Sequence, residues 1–289
     1  METITSRNNA AVKEIRGLKK RAARDSLGLA FVEGRRLVDD ALSAHGLGSP
    51  ARFPVRTICF SESFVKGAGA GDSRNAALIA RASVYGDIRL IEMPDQTFAS
   101  VSDTLNPQGV LAVVSLFSYT LNDIMNGGDR ILILDRVADP GNVGVMLRTA
   151  EAADFSGVIL SDGCADVYEP KVLRAAMGAA FRIPFVRDAN LEEAVADIRL
   201  AGFRVYASAP ASVDARTEAY DCFSGAYGDG DSALVVGSEA AGVDPGIIAL
   251  CDGVISIPMP GGAESLNAGV AAGILMYELM RRQKMKGNV

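Results

Sequence analysis

Three turns in the second half of the chain hold most of the side chains able to do chemistry. They are Asp139-Pro140-Gly141-Asn142-Val143-Gly144 with Arg148, Gly237-Ser238-Glu239-Ala240-Ala241-Gly242, and Ile257-Pro258-Met259 followed by Glu264-Ser265-Leu266-Asn267. An asparagine opening a helix sets its amide beside free backbone N–H groups and partial positive charge, an anion site in outline. Arg148, two turns later and near the same face, adds a permanently cationic fork of donors suited to phosphate. Glycines at 237 and 242 let backbone approach a ligand closely, with the Glu239 carboxylate at the strand exit. Plainer roles compete for each: Asn142 and Ser265 are good helix caps, Arg148 a surface cation, Glu239 a solvated acid. Yet every turn follows an apolar strand, and ligands of open α/β sheets bind at the carboxyl ends of strands. One composite site, and therefore an enzyme, is expected.

Other chemistries lack their parts. No G-x-G-x-x-G or Walker A sequence occurs, and Gly67–Asp72 reads as a flexible surface loop without the Lys-Ser/Thr ending of a phosphate loop. The sole histidine, His45, falls in a Gly-rich stretch, so a zinc site or a His-based triad is not expected and no metal is implied. Four scattered cysteines without a C-x-x-C pair suit reduced thiols in a cytosolic protein. No apolar run reaches the roughly 18 residues of a membrane span. The N-terminus lacks a signal-peptide layout, and a cytoplasmic protein with no membrane partner is expected.

The elements that must carry these turns follow from periodicity. Residues 24–115 read as a small α/β unit, with strands at 29–33, 55–60, 88–91 and 109–114 and helices at 34–43 and near 75–82. The Asn- and Gly-rich stretch 116–130 reads as a linker. From 131 onward, apolar strands alternate with helices. The strands lie at 131–134, 158–160, 183–186, 203–206, 233–236 and 254–257; the helices run from Asn142 to about Ala153, and over 170–180, 191–201 and 266–282. That pattern means a parallel sheet covered on both faces. Near the start, Asn8 or Asn9 caps a helix over 8–24 whose Val12/Ile15/Leu18 stripe turns inward. It leaves Lys13, Arg16, Lys19 and Lys20 on the solvated side, with Arg35 near in sequence. Although the net charge is −6, so concentrated a basic face can meet phosphates.

Taken together, the three turns resemble the three motifs of the SPOUT-superfamily RNA ribose methyltransferases of the SpoU/TrmH type. Asp135…Asp139-Pro140-Gly141-Asn142-Val143-Gly144…Arg148-Thr149-Ala150-Glu151-Ala152 matches the first, Gly237-Ser238-Glu239…Gly242 the second, and Ile257-Pro258-Met259…Ser265-Leu266-Asn267 the third. Lys171…Arg174-Ala175-Ala176-Met177-Gly178-Ala179 matches the intervening helix. The front half (Ser6-Arg7-Asn8…Val12-Lys13, Phe31-Val32-Glu33-Gly34, Thr104…Gln108-Gly109-Val110-Leu111-Ala112) is similar to the family's substrate-binding domain, which looks like a small ribosomal protein. The resemblance implies two α/β domains, an RNA-binding one at 1–115 and a methyltransferase domain at 131–289 whose parallel sheet ends in a trefoil knot. It also implies S-adenosyl-L-methionine as cofactor, and a homodimer that completes each site.

Residue by residue, Gly237, Ile257, Met259 and Leu266 carry over to the cofactor pocket. Arg148, Asn142, Glu239, Ser265 and Asn267 carry over to catalysis or RNA positioning, and Lys13, Arg16, Lys19, Lys20 and Arg35 to RNA binding. The implied reaction is methyl transfer to a ribose 2′-hydroxyl, in ribosomal RNA in preference to transfer RNA. Two readings stay beside it: an RNA-binding protein of this fold without catalysis, and methylation of a base. The chain departs from the pattern at Ala240-Ala241 and at Ala268-Gly269, where smaller residues replace the usual ones. Because a guanidinium keeps its proton in proteins, Arg148 is expected to stabilise the forming alkoxide electrostatically rather than to act as a free base.

Overall fold

The computed structural model describes residues 1–46, 53–209, 218–224, 227 and 230–286, with side chains described to 283. The chain folds as two compact units, one of residues 1–117 with 168–181 and the other of residues 118–167 with 182–289.

The first unit opens with strand β1 (Glu2–Thr3), helices α1 (Ala10–Gly17) and α2 (Arg21–Leu27), strand β2 (Leu29–Glu33) and helix α3 (Arg35–Gly46). It continues through β3 (Val55–Ser61), α4 (Glu62–Gly69), α5 (Ser73–Ser83), β4 (Arg89–Met93), α6 (Asp95–Val101) and β5 (Val110–Ser115). Its sheet has the order β1-β4-β3-β5-β2. There β5 runs antiparallel to β2 and β3, and the remaining pairs are parallel. One core joins Phe31, Cys59, Ile91, Leu111 and Val113 of the sheet to Val12 and Ile15 of α1, Leu18 at its C-cap and Phe98 of α6.

Three features of this unit differ from the sequence reading. The basic helix is two helices, broken at residues 18–20, because Arg24 folds inward, buried, and donates to the carbonyls of Leu18 and Lys19 at 3.0 and 3.1 Å. A charged donor satisfying both orphan carbonyls makes the break tolerable. The glycines at 67 and 69 lie inside α4, which Ser61 caps, and Asp72 then caps α5 by accepting from the N–H groups of Arg74 and Asn75. His45 belongs to the last turn of α3, where its Nδ1 accepts from the Val55 N–H at 3.2 Å.

The second unit begins with α7 (Leu121–Met125), inside the stretch read as linker and opened by a capping box between Thr120 and Asp123. Strand β6 (Arg130–Asp135), helix α8 (Pro140–Ala152) and strand β7 (Gly157–Ser161) follow. Helix α9 (Pro170–Ala176) ends early at Met177, whose φ is 50°, and returns to the first unit, where Phe181 and Tyr168 meet Phe53 at ring separations of 5.3 and 6.5 Å. The second unit then adds β8 (Phe185–Ala189), α10 (Leu191–Leu200), β9 (Arg204–Ser208), β10 (Ala219–Asp221), β11 (Ser232–Gly237), α11 (Pro245–Ile248), β12 (Gly253–Ser256) and α12 (Ala268–Lys286).

Its sheet is parallel throughout, in the order β10-β12-β9-β11-β6-β7-β8. Ile131, Ile133, Ile159, Val205, Ala233 and Val235 share a core with α7, α10 and α11. Strand alternation turns Leu132, Leu134, Leu160 and Leu234 to the other face, where α8 and α12 lie. From β6 the chain builds outward through β7 and β8, then crosses to the other side of β6, where β11, β9, β12 and β10 lie in that order outward. The strand order therefore reverses between β6 and β11, where open α/β sheets leave a crevice.

Candidate active site

The crevice is framed by the carboxyl ends of β6, β9, β11 and β12. Strand β11 ends in Gly237, and its turn folds back so tightly that no side chain fits there. A Cβ on Gly237 would lie 2.0 Å from the carbonyl carbon of Gly242 and 2.2 Å from the Val243 nitrogen. The Gly242 N–H donates to the Ser238 carbonyl at 2.9 Å, and Gly242 itself takes φ +68°. Beneath the turn, Asp135 at the end of β6 is buried and accepts from the Asp244 N–H at 2.7 Å. Arg136, with φ 53°, clamps the same carboxylate through Nε at 2.9 Å and Nη2 at 3.0 Å, and pairs with Asp244 at 3.2 Å. The hydrogen bond to Asp135 pushes the Arg136 pKa still higher. This cluster ties the second motif to the first. Asp135 belongs to the quoted motif, but its role was not legible, and Arg136 and Asp244 carried no signal at all.

A cavity of about 450 Å³ opens above the turn. Gly237, Ile257, Met259 and Leu266 line it, together with Glu239 and Ser265. Ser208 and Ala209, at the exit of β9, also reach it and were not singled out in the sequence; only their place after an apolar strand could have flagged them. The size suits a small-molecule ligand, for which sites run roughly 300–1,000 Å³.

Asn142 and Asn267 do not line the cavity, but they are wired to it. The Asn267 amide donates to Asn142 Oδ1 at 3.0 Å, and the Asn142 amide donates to the Glu239 carboxylate. Asn142 is available for this because it is not the cap of its helix. Asp139 takes the cap, accepting from the Asn142 N–H at 2.8 Å, and Pro140 occupies the first helical position. Gly269 leaves room for the two amides, since a Cβ there would come within 3.2 Å of both Asn142 Oδ1 and Asn267 Oδ1. Ser265, offered as a cap, lies before the Asn267 side chain that does the capping, accepting from the Val270 N–H at 3.2 Å. One hydrogen-bonded row thus joins all three motifs.

Arg148 stands apart. At about 100° per residue it lies some 120° around α8 from Asn142, not on the same face. It is exposed and does not line the cavity. Beside it, α8 and α12 expose an apolar strip: Val145 is 44 % exposed, Val270 52 % and Tyr277 46 %.

Of the residues carried over to RNA binding, Lys13, Lys19 and Lys20 are exposed. Arg16 instead donates to the Ser100 carbonyl and hydroxyl at 3.3 and 2.9 Å, and Lys19 donates to the Ser102 carbonyl. Arg35 donates to Asn75 Oδ1 at 3.1 Å. Among the described residues no group of three or more His, Cys, Asp or Glu could hold a metal ion, and no helix is long and apolar enough to cross a membrane.

Residues 129–277 match the SpoU rRNA Methylase family, and residues 9–112 match the MRM3-like substrate binding domain. The chain is 32 % identical over 284 residues to the 23S rRNA (guanosine(2553)-2′-O)-methyltransferase RlmP of Bacillus subtilis (strain 168), covering 96 % of this chain and 99 % of that one. It is 31 % identical over 210 residues to the 23S rRNA (guanosine-2′-O-)-methyltransferase RlmB of Ralstonia nicotianae, over 71 % and 82 % of the two chains. The fold matches the AdoMet-bound rRNA methyltransferase from Sinorhizobium meliloti with a TM-score of 0.81 at 30 % identity, covering 97 % of this chain and 98 % of that one. It matches the SpoU methyltransferase AviRb from Streptomyces viridochromogenes, in complex with AdoMet, with a TM-score of 0.78 at 29 % identity, over 95 % and 98 %.

Proposed function

This chain belongs to the SpoU rRNA Methylase family, and we propose that it methylates a ribose 2′-hydroxyl of ribosomal RNA from S-adenosyl-L-methionine, in the cytoplasm and as a homodimer. The observation that carries the proposal is the cavity at the strand exits, with the Asn267–Asn142–Glu239 row ending on its wall.

The residues present fit the cofactor. Gly237 keeps the second turn narrow and its backbone open to a ligand, and Ile257, Met259 and Leu266 offer apolar walls for an adenosyl group. S-adenosylmethionine supplies an electrophilic sulfonium methyl. The remaining work belongs to the chain. A 2′-hydroxyl is a poor nucleophile and must give up its proton, to solvent or another acceptor, as it attacks. A guanidinium beside the forming alkoxide stabilises it and orients the sugar, which is the role assigned to Arg148. Glu239, held in one orientation by the Asn142 amide, lines the cavity together with Glu264; Ser265 and Asn267 offer polar groups to the sugar and its phosphates.

The homodimer gives Arg148 its place. Within one chain it lies off the cavity, yet it borders the apolar strip of Val145, Val270 and Tyr277, the kind of patch that marks a protein interface. A partner packed there brings Arg148 of one protomer toward the cavity of the other. The C-terminal segment, in this reading, is threaded as a trefoil knot.

Ribose is favoured over base methylation by the matching relatives, both named for 2′-O-methylation of guanosine in 23S rRNA. Nucleoside mass spectrometry of rRNA from a deletion strain and its parent tests the proposal. Loss of one ribose-methylated nucleoside is expected. A lost base methylation, or an unchanged profile together with no calorimetric binding of S-adenosylmethionine at millimolar concentration, overturns it.

A further inference from the structure

Away from the catalytic cavity, the first unit carries a hollow of about 560 Å³ between α3 and α5. Arg35, Arg36, Arg74, Arg81 and Gln108, with one acid, Asp39, surround it over a buried Leu78. Two of the arginines are engaged within the fold. Arg35 pairs with Asp72 at 3.4 Å, and Arg81 pairs with Asp39 and donates to Ser43 Oγ at 2.8 Å. The guanidinium groups of Arg36 and Arg74 are exposed and make no hydrogen bond or ion pair among the described residues. On a chain of net charge −6, this is a local concentration of uncompensated positive charge.

The hollow is held by its own framework. Glu33, buried at the end of β2, accepts from the Ser102 hydroxyl at 2.5 Å and from the Asp103 N–H and Thr104 hydroxyl at 2.8 Å each. That fixes the turn leading to Gln108, whose Oε1 accepts from the Arg35 N–H at 3.0 Å. Gly34, at φ +99°, turns the chain between them. Phe31-Val32-Glu33-Gly34-Arg35-Arg36 thereby delivers two arginines to the first turn of α3. They face Arg74 and Arg81, two helical turns and about 10 Å apart along α5. Spare guanidinium donors are phosphate ligands, and their flat faces over an apolar floor suit an unstacked nucleotide.

We propose that this hollow grips RNA, with Arg36 and Arg74 taking phosphodiester groups of the substrate, while Arg16 and Lys19 of the basic N-terminal stretch are occupied with internal carbonyls. The inference rests on RNA being the substrate and adds where the first unit holds it.

The test is filter binding of the full-length protein to deproteinised 23S rRNA at about 50 to 200 mM salt. Arg36→Gln/Arg74→Gln is expected to bind more weakly, with the slope of log K against log salt reduced by about 1.4 to 1.8. Arg36→Lys/Arg74→Lys should keep most of that slope, and Lys13→Gln/Lys20→Gln should change it less. Calorimetric affinity for S-adenosylmethionine should be unchanged in all three. Should the double glutamine variant lose cofactor binding, the single Arg36→Gln decides, with an expected change of about 0.7 to 0.9. Wild-type slope and affinity in the glutamine variants, a larger effect from Lys13→Gln/Lys20→Gln, or no rRNA binding by the wild type would each overturn the inference. Normal RNA binding by a wild type that takes no cofactor would instead strike the methyl-transfer reading and leave the arginine hollow standing.

Discussion

Replacing Gly237 by alanine tests the geometry of the cavity most directly. The added methyl would sit 2.0 Å from the Gly242 carbonyl carbon and 2.2 Å from both the Gly242 oxygen and the Val243 nitrogen, where ordinary contact begins at 3.4 Å. All three are backbone atoms, so no side-chain rotation relieves the clash. The turn must retreat by more than an ångström, and the 2.9 Å hydrogen bond from the Gly242 N–H to the Ser238 carbonyl goes with it. Overpacking of this kind costs about 1–3 kcal/mol, and the lost hydrogen bond about 1 more. For a unit of this size each kcal/mol lowers Tm by about 2–4 °C. The larger effect falls on the site, since displacing binding groups by about 1 Å can cost a hundredfold. Calorimetry should therefore show S-adenosylmethionine affinity reduced at least tenfold, alongside a lower Tm in a thermal melt. Gly261→Ala is the control: its Cβ meets nothing within 4 Å, so both quantities should stay at wild-type values. If Gly237→Ala binds the cofactor and melts as the wild type does, the close approach of the two backbone segments does not shape the site.

Further outcomes follow from the same residues. Asn142→Ala and Asn267→Ala should be non-additive in kcat, with a coupling of about 0.5–3 kcal/mol from their shared hydrogen bond; additive losses would mean the row is incidental. Arg148→Lys should retain turnover above Arg148→Ala at equal RNA affinity, whereas equal and total loss in both counts against charge stabilisation. Tyr277→Asp should convert a dimer to monomers in light scattering and lower activity, with cofactor affinity measured separately; a monomeric wild type of full activity refutes the dimer. Burial pushes the Cys59 thiol up to about 12 from 9.0, which makes its thiolate roughly a thousandfold scarcer at pH 8. It should resist iodoacetamide at that pH until urea unfolds the chain, and rapid native labelling identified by peptide mass spectrometry would contradict its placement in the core.

The sequence alone determined what depends on neighbours along the chain. Ile131–Leu134, Val158–Leu160 and Ala233–Val236 are short apolar runs without alternation, a pattern suited to strands buried on both faces, and all three sit inside the parallel sheet. The turns after β6, β11 and β12 were recognisable because glycine, proline and asparagine have few backbone roles, and strand exits are where a parallel sheet leaves space.

Choices between equivalent local options were decided only in three dimensions. Asp139 and Asn142 can each cap a helix; the cap went to Asp139, which released Asn142 to bridge Glu239 and Asn267 across 97 and 125 residues of sequence. Residues 168–181 read as part of the second unit, yet Phe53 provides the aromatic surface that draws Phe181 and Tyr168 to the first. Arg24 broke the basic helix by burying its charge against two carbonyls, a solution that an amphipathic stripe does not announce. Each of these is settled by packing between segments far apart in the chain, because the free energy of a buried polar group depends on which partners the fold brings to it.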